Sequence, residues 1–374
     1  MNNVVIVGGS IAGVTAAGSL RALGWTGEIT VLSDEHDPPY SRVPLSKGIL
    51  AGTEPAESAV LPALPDDVRV RTGVRAVRLH TEGKTVELDN GELVPYDGLI
   101  VATGARPRRL AEVGQTGEHV VRTLSDAENI ASAVVGARTA IVVGAGFLGM
   151  EVASTLRHHG LDVTVIDRDP PLLRLLGPWL ADLIVGRATA DGVRFILAPN
   201  GVELIGDPVR GVITGPGEEH FADLVVTAAG DLPNVEWLES SGLPLAGGLV
   251  VDDRCVVAPG IVAAGDVAVR EVLPGLFRRT PHWTNAIVQG QAAARAMLDS
   301  DTAPYEPDHY FWTEQFGLDI KIAGELPLEG APEVMAGDPD ELSALLQWRR
   351  DDRIVAVAIN HRMPVARLKA MTHA

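Results

Sequence analysis

One pattern occurs twice in this chain and constrains its fold more than anything else: a β-branched apolar run, a glycine-rich turn, a helix, and a second strand. The first copy has a buried strand at residues 4–7, the turn Gly8-Gly9-Ser10-Ile11-Ala12-Gly13, helical apolar spacing at 12–23 and a strand at 28–32. The second has a strand at 140–143, the turn Gly144-Ala145-Gly146-Phe147-Leu148-Gly149, a helix at 148–158 and a strand at 162–166. Two βαβ units imply two parallel sheets with helices packed on their faces. Glycines at such a turn let backbone approach a pyrophosphate, and the helix N-terminus offers free N–H groups with partial positive charge.

The second turn is a complete GxGxxG between strand and helix, the context that gives the motif its meaning. Asp167 closes the following strand, 23 residues after Gly144. A carboxylate there binds both ribose hydroxyls of NAD and repels the 2′-phosphate of NADP, although Arg168 and Arg174 pull the other way. We therefore expect Gly144, Gly146, Phe147, Leu148, Gly149 and Asp167 to hold NADH in preference to NADPH. A plain turn before Pro170 is the alternative for Asp167.

The first turn is less regular, because Ser10 stands at its middle glycine and crowds the pyrophosphate approach. Asp34 and Glu35 lie where an acid would meet a ribose, and Gly8, Ser10, Ala12 and Gly13 would line the turn. Two later strands support this reading. Val101-Ala102-Thr103-Gly104-Ala105 runs into a small-residue turn suited to close cofactor approach. Ile261-Val262-Ala263-Ala264-Gly265-Asp266 ends in a glycine and a carboxylate able to accept from a sugar-alcohol hydroxyl. Ahead of both, Pro38-Pro39-Tyr40-Ser41-Arg42-Val43-Pro44-Leu45-Ser46-Lys47 is a proline-stiffened loop with two cations. Alone, it would read as a solvated loop whose Ser46 caps a short helix.

Elsewhere, alternating strands are expected at 68–77 and 85–88, with Asn90-Gly91 as a hairpin turn and a hairpin-like stretch at 218–226. From about Pro304, short aromatic and alternating segments (310–316, 353–359) suggest a separate α+β domain. The fold expected is α/β: two three-layered Rossmann-like dinucleotide-binding domains, for FAD and NAD, plus a C-terminal α+β domain. The first would comprise residues 1–110 and 234–303, interrupted by the second at 111–233; the third would be 304–374.

With 374 residues there is room for these cores. The net charge of −18 argues against nucleic acid, which needs a basic footprint. No apolar run reaches the roughly 18 residues of a membrane span, and no basic leader precedes the first strand, so a cytoplasmic protein without membrane attachment is expected. The single cysteine, Cys255, excludes a redox dithiol and reads as a small apolar residue near a strand end.

The ensemble "VVIVGGSIAG", "PPYSRVPLSK", "YDGLIVATGARPR", "IVVGAGFLGMEVA", "IVAAGDVA", "HWTNAIVQGQAAA" and "HYFWTEQFG", in order from residue 3 to about 360, resembles the FAD-dependent NAD(P)H:ferredoxin reductases that serve bacterial oxygenases. The resemblance implies FAD and NADH as cofactors, a ferredoxin-type iron–sulfur protein as partner, and a C-terminal domain that helps form the partner surface. It places Ala12 in the pyrophosphate turn, Asp34 at the adenosine ribose and Val74 on a strand bracketing the adenine. Arg42 and Arg122 become flavin-adjacent arginines and Lys47 the lysine beside the isoalloxazine. Asp266 becomes the ribityl ligand, and Trp283 packs near the ring's far end.

Glu151 stands two residues past the last glycine, on the first turn of its helix. There it reads as an acid favoured by the helix dipole. The resemblance instead has it orient the nicotinamide and pair with Lys47, and these two are the catalytic candidates. Trp312 would lie near the flavin edge on an electron exit route, with core packing as its alternative. Val43 and Pro281 depart from the family pattern, where proline and glutamate are usual. Metal ligation is not expected, and the chain would act as a monomer or homodimer. Two other readings stay open: an NAD(P)H oxidase or diaphorase acting on oxygen, a quinone or a small molecule, and a protein that uses its flavin as a conformational switch.

Overall fold

A computed structural model describes residues 1–215, 217–350 and 353–373. Its α-helices are α1 (Ile11–Ala22), α2 (Leu124–Val134), α3 (Phe147–His158), α4 (Leu173–Leu176), α5 (Pro178–Ala190), α6 (Trp283–Leu298) and α7 (Val365–Ala370). The chain divides into two compact units. One comprises Met1–Ser41, Ala59–Arg106 and Asp231–His309; the other comprises Arg42–Ser58, Pro107–Gly230 and Tyr310–Ala374.

In the first unit, six strands run in the order Val256–Ala258, Ile261–Ala263, Gly98–Val101, Asn3–Val7, Glu28–Leu32 and Val68–Arg71. All neighbours are parallel except the first pair. The period-2 geometry of a strand sends alternate residues to opposite faces. Val4 and Ile6 accordingly pack with Ala16, Leu20, Ala293 and others of α1 and α6. Val5 and Val7 pack on the other side with Leu79, Val86 and Leu88 of a small antiparallel sheet. A run that is apolar at every position is thus what a doubly covered parallel strand requires. Each buried valine, leucine and isoleucine among these contributes about 1.5–3 kcal/mol of hydrophobic stabilisation.

The second unit repeats the plan with a parallel sheet ordered Arg194–Leu197, Asp162–Asp167, Thr139–Val143 and Leu224–Thr227. Helix α3 packs on its strands. Another core joins Ile141, Val143, Ile166 and Val225 to Val209 and Val212 of an antiparallel sheet. The same unit holds a five-stranded antiparallel sheet in the order Tyr310–Gln315, Leu318–Ala323, Arg353–Ile359, Ser343–Arg350 and Glu333–Asp338, with α7 against it. The class expected from sequence is therefore the one observed, including the α+β character of the last seventy or so residues.

Two segments differ from expectation. Residues 68–77 are not one strand. Gly73, at φ +67°, turns the chain between Val68–Arg71, which joins the parallel sheet, and Ala76–His80, which joins the antiparallel one. Nor is 218–226 a hairpin: Glu218–Phe221 pairs back onto Val209–Thr214, whereas Leu224–Thr227 joins the parallel sheet beside Thr139–Val143. The expected turn at Asn90-Gly91 is present, with Gly91 at φ +82° and Glu92 N–H donating to Asn90 Oδ1 at 2.9 Å. Among the described residues, no helix is long and apolar enough to cross a membrane, and no cluster of His, Cys, Asp or Glu could hold a metal ion.

Candidate cofactor and catalytic site

The two glycine turns have one construction. Gly8 and Gly144 adopt φ +120° and +109°, and their N–H groups donate to Leu32 O and Ile166 O, both at 2.8 Å. A Cβ on Gly13 would lie 2.0 Å from Gly8 O, and one on Gly149 would lie 1.9 Å from Gly144 O. The outer glycines are thus fixed by packing within the turn. The middle position is different. Ser10 (φ −98°, ψ −167°) and Gly146 (φ −78°, ψ −173°) share an extended conformation open to any L-residue. Ser10 therefore departs from the motif without straining the backbone.

Both helices that follow begin without a side-chain cap and without an acid in the first turn. Helix α2 is the internal contrast. Its Thr123 accepts from Asp126 N–H at 3.1 Å, while Asp126 accepts from the Thr123 N–H at 2.9 Å, a complete capping box. The N-termini of α1 and α3 keep the donors and partial positive charge that a pyrophosphate would satisfy. At Gly146 the nearest atom to an added Cβ is Leu175 Cδ1, 3.7 Å away, which leaves that approach open. The residues present fit two dinucleotides.

In the second unit, Asp167 Oδ2 accepts from Ala145 N–H at 2.5 Å, and Oδ1 accepts from Arg168 N–H at 2.6 Å. The carboxylate thus anchors the glycine turn and remains half-buried at the strand end, while Arg168 and Arg174 are exposed. Phe147, first residue of α3, packs on Phe311 with ring centroids 4.9 Å apart, and Leu148 beside it is 37% exposed.

Glu151 is on the second turn of α3, not the first, and is buried at 6% exposure. A dipole-favoured surface acid would sit elsewhere. Lys47 Nζ lies 2.7 Å from Glu151 Oε2, so the pair expected from the resemblance forms. Ser46, the last residue of the 3-10 turn Val43–Ser46, does not cap a helix. Its Oγ donates to the same Oε2 at 2.6 Å. Thr313 Oγ1 donates to Oε1 at 2.7 Å. A buried ion pair holds only when the remaining lone pairs are satisfied, and Ser46 and Thr313 supply that. Arg42 donates to Arg122 O at 2.6 Å, which brings the two expected arginines together. Trp312 is half-buried and stacks on Tyr310, centroids 6.0 Å apart.

The first unit carries the remaining candidates. Asp34 is exposed two residues past its strand, whereas Glu35 is engaged by the Tyr40 hydroxyl. Val74 lies in the turn after Gly73 rather than on a strand; its N–H donates to Ser33 O at 2.9 Å. Ala102, Thr103 and Gly104 form the turn after Gly98–Val101. Thr103 Oγ1 donates to Asn234 O and Asn234 Nδ2 to Thr103 O, each at 2.8 Å. Gly265 N–H donates to Gln289 Oε1 at 2.8 Å, and Gln289 in turn donates to Tyr305 at 2.8 Å, which fixes the turn carrying Asp266. Asp266 is half-buried, as is Trp283, the first residue of α6; Pro281 just before it is exposed. Cys255 is fully buried, and burial pushes its thiol far up from its ordinary value.

The family model for pyridine nucleotide-disulphide oxidoreductases matches residues 2–290. The chain belongs to that family. A second model, the reductase C-terminal domain, matches residues 310–374. Among relatives, rhodocoxin reductase of Rhodococcus erythropolis is 37% identical over 335 residues, covering 86% of this chain and 78% of that protein. The ferredoxin–NAD(+) reductase component of a 3-phenylpropionate/cinnamic acid dioxygenase of Photorhabdus laumondii subsp. laumondii is 33% identical, covering 98% and 95%. Among solved structures, a ferredoxin reductase from Rhodopseudomonas palustris matches with a TM-score of 0.87 at 30% identity, over 96% of this chain and 92% of the other. Putidaredoxin reductase, solved in covalent complex with putidaredoxin, has the same TM-score at 29% identity, over 99% and 92%.

Sequence reasoning missed Ser46, Thr313 and Gln315 as parts of the site. The signal was present in "YFWTEQ": Thr313 and Gln315 share the face of Phe311, where buried positions are normally apolar.

Proposed function

We propose that this chain is an FAD-containing reductase that carries electrons from NADH to a ferredoxin-type iron–sulfur protein serving an oxygenase. The observation that carries the reading is its cysteine. The family is named for disulphide chemistry, yet the sole cysteine is fully buried in an apolar core, where no thiolate is accessible. Electrons therefore leave for an outside acceptor, and relatives of nearly full coverage are named as ferredoxin reductases.

When bound, FAD and the nicotinamide supply the redox chemistry, and the protein supplies geometry and field. In our assignment Gly8, Ser10, Ala12 and Gly13 receive the FAD pyrophosphate and Asp34 its ribose, with Val74, Ala102, Thr103 and Gly104 alongside. Gly265, Asp266 and Trp283 attend the ribityl chain and ring. Arg42, Arg122 and Lys47 favour negative charge near the flavin. Gly144, Gly146, Phe147, Leu148, Gly149 and Asp167 take NADH, and Glu151 orients its carboxamide. The single thiol, the strongly negative charge and the absence of a long apolar helix among the described residues support a cytoplasmic setting away from nucleic acid.

Stopped-flow mixing tests the function. Anaerobic protein mixed with NADH is expected to bleach its flavin quickly, and a ferredoxin of an oxygenase system is expected to reoxidise it faster than air does. Reoxidation by air or a quinone ahead of every ferredoxin would identify an oxidase or diaphorase. Slow bleaching by both NADH and NADPH would identify a switch protein.

A further inference from the structure

We infer that Thr313, itself oriented by Gln315, is a positioning residue for Glu151, so that the C-terminal module acts on the site of NADH oxidation. The inference rests on the assignment of Glu151 made above and extends it to residues that assignment does not include.

The geometry is specific. Strand Tyr310–Gln315 places Phe311, Thr313 and Gln315 on one face, with Thr313 fully buried and Gln315 at 2% exposure. Thr313 Oγ1 donates to Glu151 Oε1 at 2.7 Å, and Gln315 Nε2 donates to Thr313 Oγ1 at 2.9 Å. The direction of this chain is forced. The Glu151 carboxylate beside Lys47 only accepts, so the one hydroxyl hydrogen of Thr313 must point to Oε1. The lone pair left on Oγ1 then calls for a donor, which the Gln315 amide provides. Gln315 Oε1 meanwhile is buried with no hydrogen-bond partner among the described residues. A buried acceptor left unmade is costly, so the amide orientation is imposed by what its donor end does at Thr313.

The effect on Glu151 is to divide its two oxygens. Oε2 takes both Ser46 and Lys47, at 2.6 and 2.7 Å, and Oε1 takes, among the described residues, Thr313 alone. With donors on both oxygens the carboxylate plane cannot turn about its bond. Without Thr313, Oε1 would compete for the Lys47 ammonium and draw it out of place. Two groups assigned to the reaction would then shift together.

The test compares Thr313→Val, Thr313→Ser and Glu151→Gln as full-length holoprotein. Valine keeps the shape and removes the hydroxyl; serine restores it. Thr313→Val is expected to lower the limiting rate of flavin reduction by NADH about tenfold and to weaken NAD⁺ binding to the oxidised protein, read from flavin absorbance, while the loss of its two buried hydrogen bonds lowers the melting temperature by some degrees and leaves the protein folded. Thr313→Ser is expected to recover the rate to within about twofold. In apoprotein, the Glu151 carboxylate stretching band, identified by its loss in Glu151→Gln, is expected to move in Thr313→Val and not in Thr313→Ser. If Thr313→Val does not fold, Gln315→Met, which removes the donor behind Thr313, carries the same expectations at smaller size. An unchanged rate and band in Thr313→Val overturn the proposal, as does equal slowing by valine and serine. Glu151→Gln separates the two levels: slowed reduction there beside a normal Thr313→Val sinks only the positioning role, whereas normal reduction in Glu151→Gln sinks the assignment beneath it.

Discussion

At Asp167 two demands fall on one carboxylate. Its oxygens accept from the N–H groups of Ala145 and Arg168, which ties the glycine turn to the strand end, and its half-buried place also suits a ribose. Asp167→Ala is therefore expected to weaken both nicotinamides by loosening the turn, and NADH more than NADPH, because the repulsion of a 2′-phosphate disappears as well. Steady-state kcat/KM for each cofactor checks this, and an unchanged ratio means that the carboxylate serves the turn alone. His282, just ahead of α6, offers a pH test. Its imidazole is lowered to about 4, first by burial and then by His309, against the opposing pull of Asp266 and Asp308. An unfolded histidine titrates near 6.5. Between these values the unfolded chain binds a proton that the folded one refuses, so this stability is complete above about pH 6.5 and lost as pH falls toward 4. The loss amounts to at most about 3 kcal/mol. His282→Gln is expected to flatten the melting temperature across that window, and parallel acid limbs in both proteins would contradict it.

The glycine turn of α3 separates fold from function at the scale of one element. Gly149→Ala would drive a Cβ to 1.9 Å from Gly144 O and is expected to unfold the turn, with a large loss of melting temperature. Gly146→Ala meets only an ordinary contact, Leu175 Cδ1 at 3.7 Å, at an ordinary φ, so it is expected to cost less than about 1 kcal/mol in stability. It nevertheless places a methyl group where the pyrophosphate would approach, and KM for NADH is expected to rise at least tenfold. Calorimetry and kinetics on the two variants distinguish these outcomes; a stable Gly149→Ala or an unaffected KM in Gly146→Ala refutes the respective half. These turns were legible in the sequence because a doubly covered parallel strand must be apolar at every position and end in a turn that only glycine closes. Residues 68–77 were not, since the alternation of Val68, Val70, Val74 and Ala76 continues across a bend that only the left-handed Gly73 creates. Ser46 and Thr313 escaped because their partner, Glu151, is more than a hundred residues away from each. At Ser46 nothing local distinguishes a hydroxyl that caps a turn from one that holds a distant carboxylate, and at Thr313 the local sign, a polar residue at a buried strand position, does not name the partner it serves.

Across the whole molecule, the net charge of −18 is spread over a folded surface much smaller than that of the unfolded chain, so self-repulsion opposes folding. Surface ion pairs such as Arg71–Glu92, at 2.7 Å, and Arg353–Glu325, at 3.0 Å, act in the opposite sense, each weakly because water screens exposed partners. Salt discriminates between the two by distance. Raising ionic strength from about 0.01 to about 0.15 M shortens the screening length from roughly 30 to roughly 8 Å. That range removes repulsion between acids spaced across the surface but still exceeds the 2.7 and 3.0 Å separations within the pairs. The Lys47–Glu151 pair, at 15% and 7% side-chain exposure, lies mostly out of reach of mobile ions. Repulsion is thus the larger casualty, and sodium chloride over this interval is expected to raise the melting temperature by a few degrees. A fall over the same interval, measured on holoprotein with FAD in fixed excess, would mean that local pairing outweighs the field of the whole chain.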